Sequence, residues 1–334
     1  MTTTATTREV RLAARPVGDF RTTDLELVEV ELDELGDGDV LVRNEYTLLA
    51  SVYRDLMNAE TALPIPNFQV GEALYGRCVG TVVRSNSPDL AVGDAVEHFQ
   101  GWREHVTGPA QAFGRLDSAL LPGIEYFLCN GPTAWQGMVD VAGVGEGDVV
   151  FVSGATSGVG SVAGQIAKRR GAKLVIGSTG TKEKIDYLVQ ELGFDAAFDY
   201  HDGSIADRLR ELAPEGITVF YDNVGGEQFE AAIEVAAPFA RFALCGSLAG
   251  QDDGGLPALD LLAAIGKQLT LRGFACFHTP EQVSTWNEHF GRWLGEGRFV
   301  FPHTVVEGGL PYAAEALRNL LDRKYSGNVL LKLT

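Results

Sequence analysis

The sequence has few cysteines and no cysteine motif. Its four cysteines, none of which stands in a CxxC pair, are Cys78, Cys129, Cys245 and Cys276. This distribution argues against both a disulfide-framed secreted domain and a cysteine-ligated zinc cluster. We therefore expect reduced, mostly buried thiols, as in a cytoplasmic protein.

Positive charge is also scarce. Lys and Arg together number 27, against 45 Asp and Glu, so the formal net charge is −18. Nucleic acids and anionic membrane surfaces need clustered cations, so we expect neither as a partner, although a local basic pocket is still allowed. The opening residues, MTTTATTREV, lack the basic-then-apolar pattern of a secretory signal, which also favours a cytoplasmic location.

Long hydrophobic runs are missing as well. The longest stretch without a charged residue lies between Asp148 and Lys168 and is long enough to raise the question of a membrane span. It contains four glycines and three serines, however, and its pattern is that of a strand, a turn and a helix. We predict no transmembrane segment.

What the sequence does contain is a change of pattern near residue 125. The length of 334 residues, with 45% hydrophobic and 22% charged residues, is typical of a globular chain of one to two domains. Residues 1–125 carry short apolar runs between turn residues, and they predict a small β-rich domain. The predicted strands include residues 25–32, 40–42, 79–83 and 95–96.

Strand and helix patterns alternate over residues 126–270. The predicted strands are 148–152, 173–177, 196–198, 217–221 and 241–245, and the predicted helices are 159–170, 182–192, 205–212 and 228–236. This alternation predicts an α/β domain with a doubly wound parallel sheet of the Rossmann type. Residues 271–334 are expected to finish this domain and return to the first, through a strand at 271–274, helices at 282–294 and 312–321, and a last strand at 328–333.

The turn SGATSGVGS, at residues 153–161, joins the first strand of the parallel half to an amphipathic helix. Small residues let the backbone approach a pyrophosphate, and the N-terminus of the helix offers N–H groups and a partial positive charge. We therefore predict a dinucleotide site that includes Ser157, Gly158 and Val159. The alternative is a glycine-rich loop that only turns the chain.

The end of the second parallel strand distinguishes NAD from NADP. NAD-binding proteins usually place an acidic residue there to hold the ribose hydroxyls. Residues 177–184 read GSTGTKEK, with no acid before Glu183. An acid would repel a 2′-phosphate, whereas hydroxyl residues and Lys184 would accept it. The sequence therefore favours NADP over NAD, with Lys182 interpreted as a solvated charge.

Several runs together resemble one known family. These are residues 154–168 and 177–188, LGFDAAFDY at 192–200 and FYDNVGG at 220–226, with Arg15-Pro16-Val17-Gly18, Gly101-Trp102, Thr133-Ala134 and Cys245-Gly246. The chain resembles, over essentially its whole length, the zinc-independent medium-chain dehydrogenase/reductases. Within them it is similar to the prostaglandin reductases, alkenal double-bond reductases and curcumin reductases. The resemblance implies a GroES-like β-rich catalytic domain beside the Rossmann domain, and a homodimer.

The resemblance also implies roles for single residues. Lys184, Tyr200 and Gly180 match positions at the adenosine phosphate of NADPH. Positions along the rest of the cofactor are matched by Thr133, Asn223, Cys245, Gly246, Phe274 and Cys276. For Cys245, Phe274 and Cys276, core packing is an equal alternative.

The sequence departs from the family pattern at several points. Ser157 stands where a glycine is usual, the active-site tyrosine near 50–54 is displaced to Tyr53, and Phe277-His278 replace a substrate-facing tyrosine. Tyr325 and Asn328 replace an Asn and a Lys near the last strand. Residues 71–73 read Gly-Glu-Ala, without the histidine of zinc relatives, and His98, His105 and His201 are interpreted as isolated surface residues. We therefore expect no metal.

The predicted reaction is hydride addition from NADPH to the β-carbon of an α,β-unsaturated ketone or aldehyde. The resulting enolate oxygen needs a hydrogen-bond donor, for which Tyr53 and His278 are the protein candidates. For Tyr53, packing in the β-rich domain is an equal alternative. An NADPH quinone reductase and a non-catalytic NADPH-binding protein are the other functions considered. Segments 58–67 and 250–255 are expected to border the substrate pocket.

Overall fold

The computed structural model describes residues 6–252 and 257–334, and these form two compact units. The first unit comprises the described residues up to Cys129 together with His303–Thr334, and the second comprises those of 130–302. The first boundary lies a few residues beyond the predicted position at 125. The chain re-enters the first unit at His303, within the 271–334 segment that is predicted to return there.

The strands lie throughout the described chain. They are β1 Thr6–Leu12, β2 Leu25–Glu31, β3 Asp39–Leu49, β4 Cys78–Ser85, β5 Ala95–His98, β6 His105–Pro109, β7 Gly114–Arg115, β8 Val149–Val152, β9 Leu174–Thr179, β10 Ala196–Asp199, β11 Ile217–Asp222, β12 Ala236–Leu244, β13 Thr270–Gly273, β14 His303–Val306 and β15 Asn328–Lys332.

The α-helices belong mostly to the second unit. They are α1 Val52–Leu56, α2 Gly131–Trp135, α3 Gly160–Arg169, α4 Lys182–Gln190, α5 Ile205–Leu212, α6 Gly226–Val235, α7 Leu261–Gly266, α8 Pro280–Gly295 and α9 Ala313–Leu321. A π-helical segment, Gln136–Val141, continues α2. No helix in the described residues is both long enough and apolar enough to cross a bilayer.

The second unit is built on a six-stranded sheet in the order β10-β9-β8-β11-β12-β13. Every neighbouring pair is parallel, which confirms the predicted doubly wound sheet. All four residues of β8 are buried because helices cover both faces of the sheet. In this topology the order reverses between β8 and β11, and ligands bind beyond the carboxyl ends of the strands at that point.

Aromatic rings fill the core beneath that sheet. Phe151 and Phe220, on adjacent strands, stack with centroids 5.1 Å apart, and Phe242 meets Phe220 edge to face. These rings are fully buried or nearly so. Burying a large aromatic side chain stabilises the fold by a few kcal/mol, so the ends of β8, β11 and β12 are rigidly positioned.

The first unit contains a seven-stranded sheet and a separate β1–β2 hairpin. The order is β14-β15-β3-β4-β5-β7, with β6 also paired to β3. The last strand of the chain, β15, runs antiparallel to β3, with Val329 opposite Leu49. The predicted strand at 328–333 is therefore confirmed, and it closes the β-rich unit.

Candidate functional site

The loop between β8 and α3 is shaped by small residues. Gly154 has a φ of +56°, and a Cβ on Gly160 would lie 2.5 Å from the Gly154 carbonyl oxygen. The Ser157 hydroxyl accepts a hydrogen bond from the Gly160 N–H at 3.0 Å, and the Ser157 carbonyl accepts one from the Ser161 N–H. Ser157, which departs from the family glycine, thus caps the beginning of α3.

A buried carboxylate holds this loop against the next strand end. Asp222 Oδ1 accepts hydrogen bonds from the Ser153 hydroxyl at 2.7 Å and from the N–H groups of Val224 and Gly225. Burial raises the pKa of Asp222, and these hydrogen bonds oppose that rise. Asn223 is also buried, and its side chain donates to the Ser153 carbonyl at 2.8 Å.

The end of β9 provides a region without acidic side chains in residues 177–182. Ser178 and Thr179 are buried, and the Thr179 hydroxyl lies 2.9 Å from that of Thr156. A Cβ on Gly180 would lie 3.3–3.5 Å from the rings of His201 and Tyr200. Lys184 lies in the first turn of α4, and its backbone N–H donates to the hydroxyl of the cap residue Thr181.

One residue at this edge was not identified from the sequence. His201 Nδ1 lies 2.7 Å from Asp199 Oδ1, and its backbone N–H donates to the same oxygen. The acid at the end of β10 is therefore engaged by the neighbouring histidine. The pair of Asp199 and His201 is local in the sequence, and the pairing of β9 with β10 then brings Gly180 beside both Tyr200 and His201.

These features fit NADP(H). The loop has glycines at residues 154, 158 and 160, which let its backbone approach a pyrophosphate, and a Cβ at Gly160 would have no room. The end of β9 has hydroxyl groups and no acid, which suits a 2′-phosphate.

A second cluster lies beyond the ends of β11, β12 and β13. Thr133 Oγ1 is 3.1 Å from His278 Nε2, and the Tyr221 hydroxyl donates to the Thr133 carbonyl at 3.1 Å. The Phe274 ring meets the edge of the Tyr221 ring with centroids 6.3 Å apart. Gly246 donates its N–H to the Asp222 carbonyl at 3.0 Å, which places it beside Asn223.

The same cluster contains two cysteines. The Cys245 and Cys276 side chains are close enough for each to shift the pKa of the other. The hydrogen bonds from Cys245 and from Thr133 lower the pKa of Cys276 to about 7. Burial of the Tyr221 hydroxyl raises the pKa of Tyr221, so its proton stays in place at neutral pH.

Tyr53 lies in the core of the first unit and does not fit the role of substrate donor. It is 5% exposed, its ring meets Phe68 and Trp102 edge to face, and its hydroxyl donates to the Leu48 carbonyl at 3.0 Å. Burial raises its pKa well above the usual value. The structure supports the packing interpretation of Tyr53, because its hydroxyl already donates a hydrogen bond to a backbone carbonyl in the core.

Two other predictions need correction. His98 is buried rather than on the surface, with Nε2 2.9 Å from Asn44 Oδ1 and Nδ1 accepting from the Gln100 N–H. Burial lowers its pKa to about 4, so it is neutral. Cys78 and Cys129 are buried as expected, but Cys245 is half-buried and Cys276 is exposed.

Among residues 6–252 and 257–334, no group of three or more His, Cys, Asp or Glu side chains is arranged to hold a metal ion.

Of the segments expected to border the substrate pocket, 58–67 is anchored through its first residue, whose carbonyl accepts hydrogen bonds from the side chains of Arg15 and Asn67. Segment 250–255 lies partly outside the described residues, from 253 onward.

Comparison with known proteins agrees with this architecture. Residues 8–116 match the family model described as the N-terminal domain of oxidoreductase, and residues 158–292 match that described as zinc-binding dehydrogenase. The chain is 30% identical to an NADPH-dependent curcumin reductase of Escherichia coli (strain K12), over 96% of this chain and 95% of that protein. It is also 30% identical to a 2-alkenal reductase (NADP(+)-dependent) of Nicotiana tabacum, over 87% and 86%.

A solved structure is similar over the same length. The crystal structure of CurA from Vibrio vulnificus has a TM-score of 0.89 at 27% identity, covering 98% of this chain and 99% of that one. CurA has also been solved in complex with NADPH, with a TM-score of 0.86. The chain belongs to the medium-chain dehydrogenase/reductase family, in the branch of the curcumin, prostaglandin and 2-alkenal reductases. It is an NADP-dependent oxidoreductase.

Proposed function

We propose that this protein reduces the C=C bond of an α,β-unsaturated ketone or aldehyde, with NADPH as the hydride donor. The observation that carries the proposal is the similarity, along most of both chains, to a curcumin reductase and a 2-alkenal reductase. A 2-alkenal has its C=C bond conjugated to the carbonyl group. The geometry beyond β9 supports the proposal because it suits the cofactor that both relatives use.

Bound NADPH supplies the hydride, and the protein supplies orientation and electrostatics. We assign the pyrophosphate to the N-terminus of α3, at Ser157, Gly158 and Val159. The adenosine phosphate is assigned to Gly180, Lys184 and Tyr200. The nicotinamide half is assigned to Thr133, Asn223, Cys245, Gly246, Phe274 and Cys276.

Charge develops on the carbonyl oxygen of the substrate when hydride adds to the β-carbon. A fixed hydrogen-bond donor stabilises that charge more than water does, because it needs no reorganisation. Of the two predicted donors, Tyr53 is used in the core, whereas His278 is held by Thr133 near the ends of the parallel strands. We therefore assign the donor role to His278, with Thr133 fixing the orientation of its ring.

The experiment is NADPH oxidation, followed by near-ultraviolet absorbance, with enones, enals, quinones and simple ketones, each with and without a chelator. We expect turnover of enones or enals that survives chelation, and a lower kcat in His278→Gln with the KM for NADPH unchanged. Turnover of quinones alone would establish the alternative enzyme class. NADPH binding without turnover of any compound would contradict the proposal and favour a non-catalytic protein.

We also propose a homodimer, formed through the edge of β13 that pairs with no other strand of the described residues. This strand is at the end of the six-stranded sheet, and nearby α7 exposes Leu261, Leu262 and Ile265 at 62%, 82% and 69%. An open strand edge beside exposed apolar residues is suited to pairing with a second copy. Light scattering after size exclusion should give a dimer that Leu262→Lys dissociates and that Val92→Lys, in the other unit, leaves intact. A monomeric wild type would exclude this interface.

The cytoplasmic location of the protein stays a prediction.

A further inference from the structure

Two cysteines that are distant in the sequence meet at the carboxyl edge of the parallel sheet. Cys245 directly follows β12, and Cys276 lies three residues beyond β13. These strands are parallel neighbours in which Leu244 pairs with Gly273, and the Phe274 N–H donates to the Leu244 carbonyl. The backbone therefore holds the two segments side by side, and the two thiols are close enough for each to shift the pKa of the other.

The two thiols have different environments. Cys276 is exposed, so a small oxidant has access to it, whereas Cys245 is half-buried. The hydrogen bonds from Cys245 and Thr133 lower the pKa of Cys276 to about 7, so thiol and thiolate are both present at neutral pH, and the thiolate is the reactive form of cysteine. Cys78 and Cys129 are buried, so they are shielded from the same reagent.

We propose that Cys245 and Cys276 form a peroxide-sensitive thiol pair, in which Cys276 is the reacting residue and Cys245 the resolving one. The Cys276 thiolate attacks a peroxide oxygen, the O–O bond breaks, and an alcohol or water leaves as Cys276 becomes a sulfenic acid. The Cys245 sulfur then attacks the Cys276 sulfur, and a disulfide forms as water leaves. The peroxide accepts the two electrons that the thiols lose, and a dithiol reverses the reaction.

The cluster explains why this modification would matter. Cys276 contacts Thr133, which holds His278, and Cys245 precedes Gly246 beside Asn223. Because strand pairing already holds the two segments side by side, the two side chains rather than the strands must move to form an S–S bond of about 2.05 Å. The disulfide would remove the Cys276 thiol from Thr133 and tie the 274–278 segment to the end of β12.

The test is thiol counting and peptide mapping on the full chain. The protein is treated with hydrogen peroxide, with and without NADP bound, then denatured and titrated with a thiol reagent. We expect the loss of two of the four thiols, a peptide joined through Cys245 and Cys276, and full recovery with dithiothreitol. Four intact thiols at peroxide levels that oxidise small-molecule thiols would overturn the proposal.

Single variants separate the two roles. Cys276→Ser should keep its remaining thiols reduced, whereas Cys245→Ser should stop at a sulfenic acid on residue 276 that dimedone traps. Cys129→Ser is the matched control and should still form the disulfide. Because mapping of the wild type reports the bond directly, a variant that fails to fold does not affect the test. A bond between two chains, or oxidation of Cys276 beyond sulfenic acid in the wild type, would contradict the resolving role of Cys245.

Discussion

Cofactor choice depends on individual residues at the end of β9. The residues from Gly177 to Lys182 carry no acid, Asp199 is engaged by His201, and Lys184 lies in the first turn of α4. A 2′-phosphate would therefore meet hydroxyl groups and a cation rather than a free carboxylate.

Replacing Lys184 tests this assignment. A hydrogen bond to a charged group contributes about 1.5–3 kcal/mol, so Lys184→Ala should raise the KM for NADPH roughly tenfold or more. The KM for NADH should barely change, because NADH lacks the phosphate. Lys182→Ala, on the same helix, is the control and should leave both constants near the wild type. Steady-state kinetics with both cofactors measures this, and equal effects on NADPH and NADH would show that Lys184 does not recognise the phosphate.

Replacing Tyr53 tests whether this residue stabilises the core rather than taking part in catalysis. Tyr53→Phe removes the hydrogen bond to the Leu48 carbonyl and leaves a buried acceptor without it. We expect the free energy of unfolding to fall by about 1 kcal/mol, with kcat unchanged. Urea denaturation and steady-state kinetics measure the two effects, and Tyr312→Phe, at a more exposed position, is the control. A lower kcat with unchanged stability would return Tyr53 to the catalytic site.

The sequence places Tyr53 correctly on the first unit but cannot say which way its ring points. Residues 50–54 span the turn after β3 and the beginning of the short helix α1, and the neighbours that bury the ring, Phe68 and Trp102, come from later in the chain. The same limit applies to His98, whose partner Asn44 lies 54 residues earlier in the chain. Burial of a single side chain depends on contacts that no local pattern contains.

At the scale of elements, the β8–α3 loop depends on the approach of two backbone segments. A Cβ at Gly160 would be 2.5 Å from the Gly154 carbonyl oxygen and 3.0 Å from the Cα of Ala155. The loop must shift to accept it, and a shift moves the N–H groups that face the pyrophosphate.

Gly160→Ala should therefore weaken NADPH binding. Forcing a methyl group into such a contact costs about 1–3 kcal/mol, so the Kd for NADPH should rise roughly tenfold. Gly295→Ala is the matched control, because Gly295 ends α8 and a Cβ there meets nothing within 4 Å. Titration with NADPH by fluorescence measures the effect. An unchanged Kd in Gly160→Ala would show that the loop does not carry the pyrophosphate.

Most elements of the parallel half follow from the sequence. The predicted helix at 205–212 is observed as Ile205–Leu212, and the predicted strand at 148–152 as Val149–Val152, because hydrophobic periodicity is strong in buried strands and amphipathic helices. The π-helical segment Gln136–Val141 and α2 were missed, since their glycines, proline and mixed polarity give no clear period. The contact between Cys245 and Cys276 was missed because it is created by strand order.

At the scale of the whole molecule, the chain combines a β-rich unit closed by its last strand with a parallel-sheet unit that fits NADP. Because the net charge of the chain is −18, an anionic cofactor is attracted by local cationic groups such as Lys184 rather than by the overall charge. The fold and cofactor were predictable because they depend on patterns distributed over many residues. The hydrogen-bond donor to the enolate oxygen was less predictable. Its identity depends on whether Tyr53 or His278 lies near the ends of the parallel strands, and the sequence does not show this.

The central claim is that hydride goes to the β-carbon of a conjugated carbonyl compound. The most direct measurement uses NADPH with deuterium at its transferable position, an enone that is turned over, and analysis of the product by NMR and mass spectrometry. We predict a saturated ketone with one deuterium atom on the β-carbon. An allylic alcohol with deuterium on the former carbonyl carbon would contradict the account.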